Sequence, residues 1–410
     1  MKRPLRLLAA CTLALGASYA WAQTQGISGD EITVGTILDL SGPVASVGKP
    51  VLQGMRMRAD ELNEIGGLHG RKLRVVAEDA GYDVKKSVLA AQKLASQDRV
   101  FAVLGLLGTP MNIAAMPVLF ERNVINFYPM SAARETYDPP HRLKAAFLPG
   151  NFDQIRVAAA RLVKDQRLKK PCALYQDDDF GQEVVRGAQA GLKAVGATLV
   201  EQASYKRGAT DLSSQVARLK AAGCDLVVLG TVVRETAAAM SEAAKTGFQP
   251  VFVSTTAAYS SVLPRLGGKA VDGLYATMTA EIPSPDSSTD QLLRWSARYR
   301  TRFNEEPNEY GAFGYHIMDA FIRTAQKAGP GLGTDSFLNA LESGTVPRDM
   351  FGIMEASFRA DKRLGNRYSR LSRLQDGKWR VVSDYVTFNG LKVQFGKDGR
   401  MSVLSEQFAD

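Results

Sequence analysis

Residues 100–122, VFAVLGLLGTPMNIAAMPVLFER, decide the fold, because an apolar run stops at glycine, threonine and proline and is followed directly by a second apolar segment. The first part, VFAVLGLL, predicts a buried β-strand, and TPMNIAAMPVLFER predicts a helix. Thr109 stands where a helix N-cap is expected, with Pro110 at the first helical position, where a missing N–H costs nothing. A strand that passes straight into a helix is typical of a parallel α/β sheet.

The same alternation of strand and helix extends on both sides of this stretch. It begins with the strands EITVGTILDL and KLRVVAED and the helices LQGMRMRADELNEI and DVKKSVLAAQKLASQD. Gly66 and Gly67 end the first helix, and Asp83 is a plausible cap of the second. After the strand VINFYP, the pattern breaks at residues 147–154 and restarts with CALYQD, TLVEQASY, DLVVLGT and PVFVST. The sequence therefore predicts an α/β protein with two doubly wound parallel-sheet units.

The N-terminal sequence MKRPLRLLAACTLALGASYAWAQ predicts a secretory signal at residues 1–22. It has a basic start, an apolar run and small residues before a cleavage site between Ala22 and Gln23. The run is shorter than the roughly 20 apolar residues that span a bilayer. LAAC resembles a lipobox, in which Cys11 would be the lipid attachment site. Only residues 7–10 separate the last arginine from Cys11, which is too short for the apolar core of such a signal. We therefore expect a periplasmic protein without a lipid anchor or stable membrane insertion.

Charge and cysteine content narrow the function classes further. Removing the signal leaves 48 basic and 42 acidic side chains, a net charge of +6 that is spread along the chain and gives no nucleic-acid surface. Cys172 and Cys224 each precede an apolar strand. If these strands are neighbours, the two cysteines can form a disulfide. The alternative is that they are two separate buried thiols.

The motifs of cofactor and metal chemistry are missing from the mature sequence. There is no Walker loop, no G-x-G-x-x-G and no G-x-S-x-G, and the three histidines lack metal spacing. The segment QDDDFG at residues 176–181 predicts a loop and helix cap rather than a metal site or an acid pair. We expect no cofactor, no metal and no catalysis.

The candidate binding residues lie where strands end, because ligands of parallel α/β sheets bind beyond the carboxyl ends of the strands. The loops concerned are residues 41–48, 105–112, 129–134, 177–181, 230–235 and 254–260. Gly108 lets a ligand approach the backbone, and the helix start at Thr109 favours an anion such as a carboxylate. Ser131 and Ala132 offer a second small-residue loop after the next strand. Two such loops together predict a carboxylate site.

The segment SGPVASVGKPVLQGMRMRADELNEIGGLHGRKLRVVAEDAGYDVKKSV resembles the periplasmic leucine/isoleucine/valine-binding protein family, the type I solute-binding proteins of ABC transporters. The S-G-P-x-A-x-x-G opening, the N-x-x-G-G-x-x-G turn at residues 63–72, GTPMN and DDDFGQE carry the resemblance. It implies two lobes that are joined by three crossovers and close like a hinge. We place the crossovers near residues 147–154, 273–283 and 352–361. Lobe one then comprises residues 23–148 and 278–354, and lobe two residues 149–277 and 355–410.

The resemblance also assigns roles to individual residues. The carboxylate of the ligand is held by Gly108, Thr109, Ser131 and Ala132 in lobe one, and Phe180 supplies an aromatic wall from lobe two. Three positions depart from the amino-acid binders. Thr256 stands where an acid pairs the ammonium of the ligand, and Val47 and Val232 stand near or at expected aromatic positions. We therefore hypothesise a ligand that carries a carboxylate but no amine, such as an aromatic or aliphatic acid.

Three further side chains are left with two interpretations each. Arg234 either pairs a second acidic group of the ligand or is a solvated surface arginine. Tyr310 and Tyr315 either line the cleft from lobe one or pack in a helix core. The sequence alone does not decide between these alternatives.

The expected function is that of a monomeric binding component, which captures a small-molecule carboxylate ligand and delivers it to an ABC permease in the inner membrane. A sensor of the same fold, which reports ligand occupancy to a receptor, is the alternative. An exported α/β enzyme needs a nucleophile with a base, or a metal cluster, at the strand ends. The sequence shows neither there.

Overall fold

The computed structural model of the chain describes residues 24–283 and 289–383, together with the backbone of three short strands at 386–387, 391–395 and 401–407. The predicted signal at residues 1–22, with Cys11, lies outside the described residues and stays a prediction. In the described part of the chain, no helix combines the length and the apolar composition that crossing a membrane requires.

The N-terminal half folds around a five-stranded parallel sheet. Its strands are β1 (Glu31–Leu38), β2 (Lys72–Asp79), β3 (Ala102–Leu104), β4 (Ile125–Phe127) and β5 (Lys144–Ala145). They lie side by side in the order β2-β1-β3-β4-β5. The connecting helices are α1 (Ala45–Glu64), α2 (Val84–Ser96) and α3 (Thr109–Glu121). Every residue of β3 and β4 is buried, as expected for central strands that are covered by helices on both faces.

Helix α1 begins at Ala45, although the sequence predicts a loop through residue 51. The carboxylate of Asp39, just after β1, accepts hydrogen bonds from two backbone N–H groups of the following turn, at 2.5 and 2.8 Å. Gly48 lets the new helix approach Asp39, since a Cβ there would lie 2.0 Å from the Asp39 carbonyl oxygen. Pro50 is accommodated inside this helix. The prediction was wrong because Asp39, which precedes the segment, holds the turn from which α1 begins.

The middle of the chain forms a second, larger sheet. Its parallel strands are β6 (Pro171–Gln176), β7 (Glu201–Tyr205), β8 (Leu226–Gly230), β9 (Val251–Ser254) and β10 (Tyr275–Met278), in the spatial order β10-β9-β8-β6-β7. The helices are α4 (Asn151–Gln166), α5 (Asp179–Ala194), α6 (Ser213–Ala221), α7 (Val233–Lys245) and α8 (Leu263–Gly267). This sheet and the first one form the two doubly wound lobes that the sequence predicts.

Cys172 and Cys224 form a disulfide, which is one of the two alternatives that the sequence left open. Cys172 lies in β6 and Cys224 just before β8, and these two strands pair although β7 separates them in sequence. The bond therefore joins neighbouring strands at their amino ends.

The last part of the chain contributes to both lobes. It contains α9 (Asp290–Phe303), α10 (Glu309–Ala328), α11 (Thr334–Glu342), β11 (Thr345–Val346), β12 (Ala356–Ser357), β13 (Tyr368–Gln375) and β14 (Lys378–Val381). Helix α10 packs closely on α1 because Gly314 presents no side chain: a Cβ there would lie 2.0 Å from the Val51 carbonyl oxygen. Strands β13 and β14 extend the second sheet antiparallel beyond β10.

Three crossovers join the lobes, after β5, after β10 and before β13. We propose that the third lies later than the predicted residues 352–361. Strand β12 pairs with β11, and Leu364 bridges Ala146 at the end of the first sheet. The buried guanidinium of Arg363 also donates to the Lys144 carbonyl oxygen at 2.6 Å. These contacts favour assigning residues 355–364 to lobe one rather than lobe two.

Candidate functional site

A cavity lies between the two lobes, at the carboxyl ends of their parallel strands. Its empty space is about 700 Å³ when the opening to solvent is included. Most of its walls are apolar or aromatic, and none of the described lining residues carries a charged side chain. The lining residues are Val44, Val47, Tyr82, Leu107, Gly108, Thr109, Met130, Ser131, Ala132, Leu148, Asn151, Phe180, Val232, Thr256, Ala257, Tyr310 and Phe313.

The structure brings together all the residues that the sequence analysis proposed for the site. They are Val47, Gly108, Thr109, Ser131, Ala132, Phe180, Val232 and Thr256, and each lines this cavity. They meet because loops that follow parallel strands share one edge of a sheet. Their contact with a ligand stays a prediction.

The polar end of the cavity is built from the loops after β3 and β4. The hydroxyls of Thr109 and Ser131 lie 3.0 Å apart and are hydrogen-bonded. Thr109 is the first residue of α3 and Gly108, with φ of 95°, is its cap, so the prediction of Thr109 as the N-cap was wrong by one residue. The N–H groups of Thr109 and Met111 lie in the first turn of α3, where helix geometry provides no acceptor. This corner can therefore donate several hydrogen bonds to one anion.

Two buried asparagines hold the Gly108 loop in place. The side-chain amide of Asn112 donates to the carbonyl oxygens of Leu106 and Gly108, each at 2.8 Å. Asn126, in β4, donates in turn to the Asn112 side-chain oxygen at 3.0 Å. Loop and neighbouring strand are thus joined by side chains that the sequence analysis did not single out.

The lobe-two wall comes from the starts of α5 and α7 and from the loop after β9. Phe180 lies in the first turn of α5, which is capped by Asp178 through a hydrogen bond from the Gly181 N–H. Asp178 also pairs with Arg207 at 3.0 Å, and Asp177 pairs with Lys206 at 2.6 Å. These contacts give the acidic run of QDDDFG the capping and structural role that the sequence favoured.

Thr256 and Ala257 close the cavity on the lobe-two side. The Thr256 N–H donates to the side-chain oxygen of Gln154 at 3.1 Å, which fixes the loop independently of the threonine side chain. Two other carboxylates lie outside this lining: Glu309 accepts from the Ser261 N–H, and Glu235 pairs with Arg234 through Oε1 while its buried Oε2 has no partner in the described structure. The described lining therefore offers an ammonium group no acidic partner.

Three aromatic residues of the lining were missed or left undecided. Tyr82 lies in the loop after β2, a strand end that the sequence analysis did not include. Phe313 and Tyr310 come from α10, which is far away in sequence. Of the two interpretations of Tyr310, the structure supports the one in which it lines the cavity. Tyr315 instead donates its hydroxyl to Glu61 on α1 at 2.6 Å, and it does not line the cavity.

The lobes touch each other around the cavity. Arg207 of lobe two lies over the Tyr82 ring, with its guanidinium carbon 5.4 Å from the ring centre. Glu309 of lobe one accepts from the Ser261 N–H of lobe two at 3.2 Å. Glu183 of α5 accepts from the Arg134 N–H of lobe one at 3.0 Å. These contacts surround the space in which a ligand would be enclosed.

Glu183 is a buried carboxyl whose pKa depends on this environment. It is 3% exposed, and burial raises its pKa to about 7, although hydrogen bonds from Asn151 and the Arg134 backbone oppose the shift. Glu183 therefore keeps its proton to a higher pH in the folded protein than in the unfolded chain, where a glutamate has a pKa of about 4.3. The free energy of unfolding therefore falls as the pH rises between these two values.

We expect the substitution Glu183→Gln to remove this pH dependence. Between about pH 4.3 and pH 8 the parent should lose on the order of 2 kcal/mol of unfolding free energy relative to the variant. Urea unfolding of both proteins at pH 5 and pH 8 measures the difference. Parallel stability curves for parent and variant would contradict the assignment of the shift to Glu183.

Fold and cavity together are those of a two-lobed α/β binding protein with a candidate site between the lobes. A family model described as periplasmic binding protein matches residues 31–378, which is most of the chain. The chain belongs to this family, and within it to the type I proteins that include the leucine/isoleucine/valine-binding proteins.

Individual proteins are similar to this chain over most of its length. Leu/Ile/Val-binding protein homolog 7 of Brucella suis biovar 1 (strain 1330) is 24% identical over 391 residues, which cover 92% of this chain and 96% of the relative. The fatty acid ABC transporter substrate-binding protein from Thermomonospora curvata has a TM-score of 0.80 at 21% identity, over 89% of this chain and 94% of that one. The branched-chain amino acid transporter substrate binding protein from Streptococcus pneumoniae, in complex with isoleucine, has a TM-score of 0.74 at 18% identity, over 87% and 100%. These structural likenesses show the fold.

Proposed function

We propose that this protein is the substrate-binding component of an ABC transporter, which captures a small apolar acid between its lobes and delivers it to an inner-membrane permease. Its family and the names of its structural relatives support the transport role. Contacts between the lobes around the cavity support closure on a ligand. Export by residues 1–22 belongs to the same proposal.

The ligand assignment rests on the cavity: hydrogen-bonding groups lie together at one end, and none of its described lining residues is charged. In this proposal the ligand carboxylate lies at Thr109 and Ser131, where hydroxyls and helix N–H groups converge. The apolar body of the ligand then packs against the aromatic and aliphatic walls, including Phe180 and Phe313.

An amino acid fits this cavity less well than the corresponding acid without the amine. Enclosing an unpaired ammonium group costs several kcal/mol, because the lost hydration is not replaced by a carboxylate. Thr256 supplies a neutral hydroxyl at the position where the resemblance implies an acid. The proposed ligands are therefore aliphatic or aromatic acids of small size.

We expect titration calorimetry on the mature protein to show tight binding of one or more such acids, with leucine and valine at least about 30-fold weaker than their amine-free counterparts. The double variant Thr109→Val with Ser131→Ala should weaken acid binding by about 30-fold or more, because two hydrogen bonds to a charged group are lost. Thermal unfolding in the absence of ligand serves as the control for folding.

Tight binding of leucine that equals or exceeds the binding of the acids would refute the ligand assignment. Acid binding that is indifferent to the Thr109 and Ser131 substitutions would refute the position of the carboxylate. The absence of any acid binding would remove the proposed function itself.

A further inference from the structure

Asn151 is a polar residue that the sequence analysis did not select, yet it lines the cavity beside the proposed carboxylate corner. It is the first residue of α4, where the chain enters lobe two after the first crossover. Its backbone N–H donates to the carbonyl oxygen of Ala132 at 2.8 Å, and Ala132 is the residue after Ser131. The side chain of Asn151 thus starts next to the loop that is proposed to hold the carboxylate.

The orientation of the Asn151 amide is set by Glu183. The amide nitrogen Nδ2 donates to Glu183 Oε2 at 3.2 Å, and the other oxygen, Oε1, accepts the Arg134 backbone N–H. Above its pKa Glu183 is an ionised carboxylate, which only accepts hydrogen bonds, so the NH₂ end of the amide faces it there. The oxygen Oδ1 is therefore the end turned away from Glu183. In the part of the chain that the structure describes, Oδ1 accepts no hydrogen bond.

We propose that Asn151 Oδ1 accepts a hydrogen bond from the ligand, and that the preferred ligands are apolar 2-hydroxy acids. This inference rests on the proposed function, because it takes the ligand carboxylate to lie at Thr109 and Ser131. Because Asn151 is hydrogen-bonded to Ala132, next to Ser131, this proposal places the donor on the carbon beside the carboxylate. A carboxylate oxygen cannot serve in its place, because it has no hydrogen to donate.

The energetic reason is the cost of leaving a polar atom unpaired when the lobes close. A buried acceptor without a donor costs about 1–3 kcal/mol, which corresponds to about 10- to 100-fold in affinity. A ligand hydroxyl satisfies Oδ1 and remains neutral. An ammonium group also donates, but it brings a charge that no described lining residue pairs.

A matched trio of ligands tests this preference: 2-hydroxy-4-methylpentanoate, 4-methylpentanoate and leucine differ only in bearing a hydroxyl, a hydrogen or an ammonium group beside the carboxylate. A second trio consists of 2-hydroxy-3-phenylpropanoate, 3-phenylpropanoate and phenylalanine. Calorimetry at pH 8, where Glu183 is mostly ionised, should show the hydroxy acid of a trio binding about 10- to 100-fold more tightly than the other two members.

Two variants distinguish recognition of the ligand hydroxyl by Asn151 from a purely structural role of this residue. Asn151→Leu should bring the affinities for the hydroxy acid and the deoxy acid together, because the acceptor that distinguishes the two ligands is lost. Glu183→Gln introduces an amide that can donate to Oδ1 and turn the Asn151 side chain. It should therefore reduce the hydroxyl preference by about 10-fold while binding of the deoxy acid persists. A merely structural role of Asn151 would lower both affinities together.

The outcomes distinguish the inference from the function on which it rests. Equal affinities for hydroxy and deoxy acids, or a hydroxyl preference that survives Asn151→Leu, would overturn the inference and leave the proposed function standing. A preference for the amino acid that depends on Asn151 would overturn the hydroxy-acid class. If no acid of either trio binds, both the inference and the proposed function fail.

Discussion

The substitution Thr256→Glu is expected to reverse the proposed ligand preference, with acids losing at least about 100-fold in affinity and leucine becoming the tighter ligand. A glutamate here would place a negative charge in a cavity whose described walls are neutral, opposite the ligand carboxylate. For an acid without an amine, that charge stays buried and unpaired, at a cost of several kcal/mol. For an amino acid, it pairs the ammonium group.

The structure indicates that the loop itself can accept this change. Thr256 is held through its backbone N–H by Gln154, so its side chain is not needed to position the loop. Thr256→Gln is the matched control, because it has the same length and shape as glutamate without the charge. It should change acid affinity by less than about 10-fold. Calorimetry with 4-methylpentanoate and leucine on both variants measures the reversal, and unchanged acid binding in Thr256→Glu would place the ligand elsewhere.

The order of strands and helices followed from the sequence because local signals mark most of the boundaries. Asp83 caps α2 by accepting from the Lys86 N–H, and Asp178 caps α5 in the same manner. Gly66 and Gly67 end α1 with positive φ values of 102° and 75°. In each case the residue type, the backbone conformation and the boundary agree within a few positions of the chain.

Boundaries that depend on residues outside their own segment were predicted less well. The early start of α1 depends on Asp39, whose carboxylate accepts from the Gly42 and Val44 N–H groups in the turn before the helix. The position of the third crossover depends on the pairing of β12 with β11 and on the contacts of Arg363 with lobe one. Neither boundary is marked by a pattern in its own segment of the sequence, because in each case the stabilising group lies outside the segment that it positions.

The residues of the cavity likewise differ in whether the local sequence predicts them. Loops after parallel strands were identified as the site because sheet topology brings their carboxyl ends together, and the eight selected residues do converge there. Phe313 and Asn151 come from helices instead, and only the packing of α10 and the first crossover brings them to the cavity. Tyr82 lies just after β2, so the same sheet topology brings its loop to the cavity.

The cysteine pair illustrates a question that sequence order alone left undecided. Whether Cys172 and Cys224 meet depends on β6 and β8 being neighbours, with β7 displaced to the edge of the sheet. The strand order supplies that fact, and the structure contains the disulfide.

Removing this disulfide by Cys172→Ala together with Cys224→Ala should lower the free energy of unfolding by about 2–4 kcal/mol. The bond closes a loop between residues separated by 52 positions, and a loop of this length restricts the unfolded chain by about 4 kcal/mol at most. Alanine is preferred to serine because both positions are buried, at 0% and 5% exposure, and a hydroxyl there would need a partner. Guanidinium unfolding of parent and variant measures the loss.

Ligand affinity should change by less than about 3-fold in the same double variant, because the disulfide joins the amino ends of β6 and β8, whereas the cavity lies beyond their carboxyl ends. Strand β8 alone spans five residues, or roughly 16 Å, between these two edges. Reduction of the parent with a thiol is the matched control, and it should shift the unfolding midpoint as the substitution does. An unchanged midpoint would show that the bond does not restrict the unfolded chain, whereas a large loss of affinity would show that the amino edge of the sheet is coupled to the cavity.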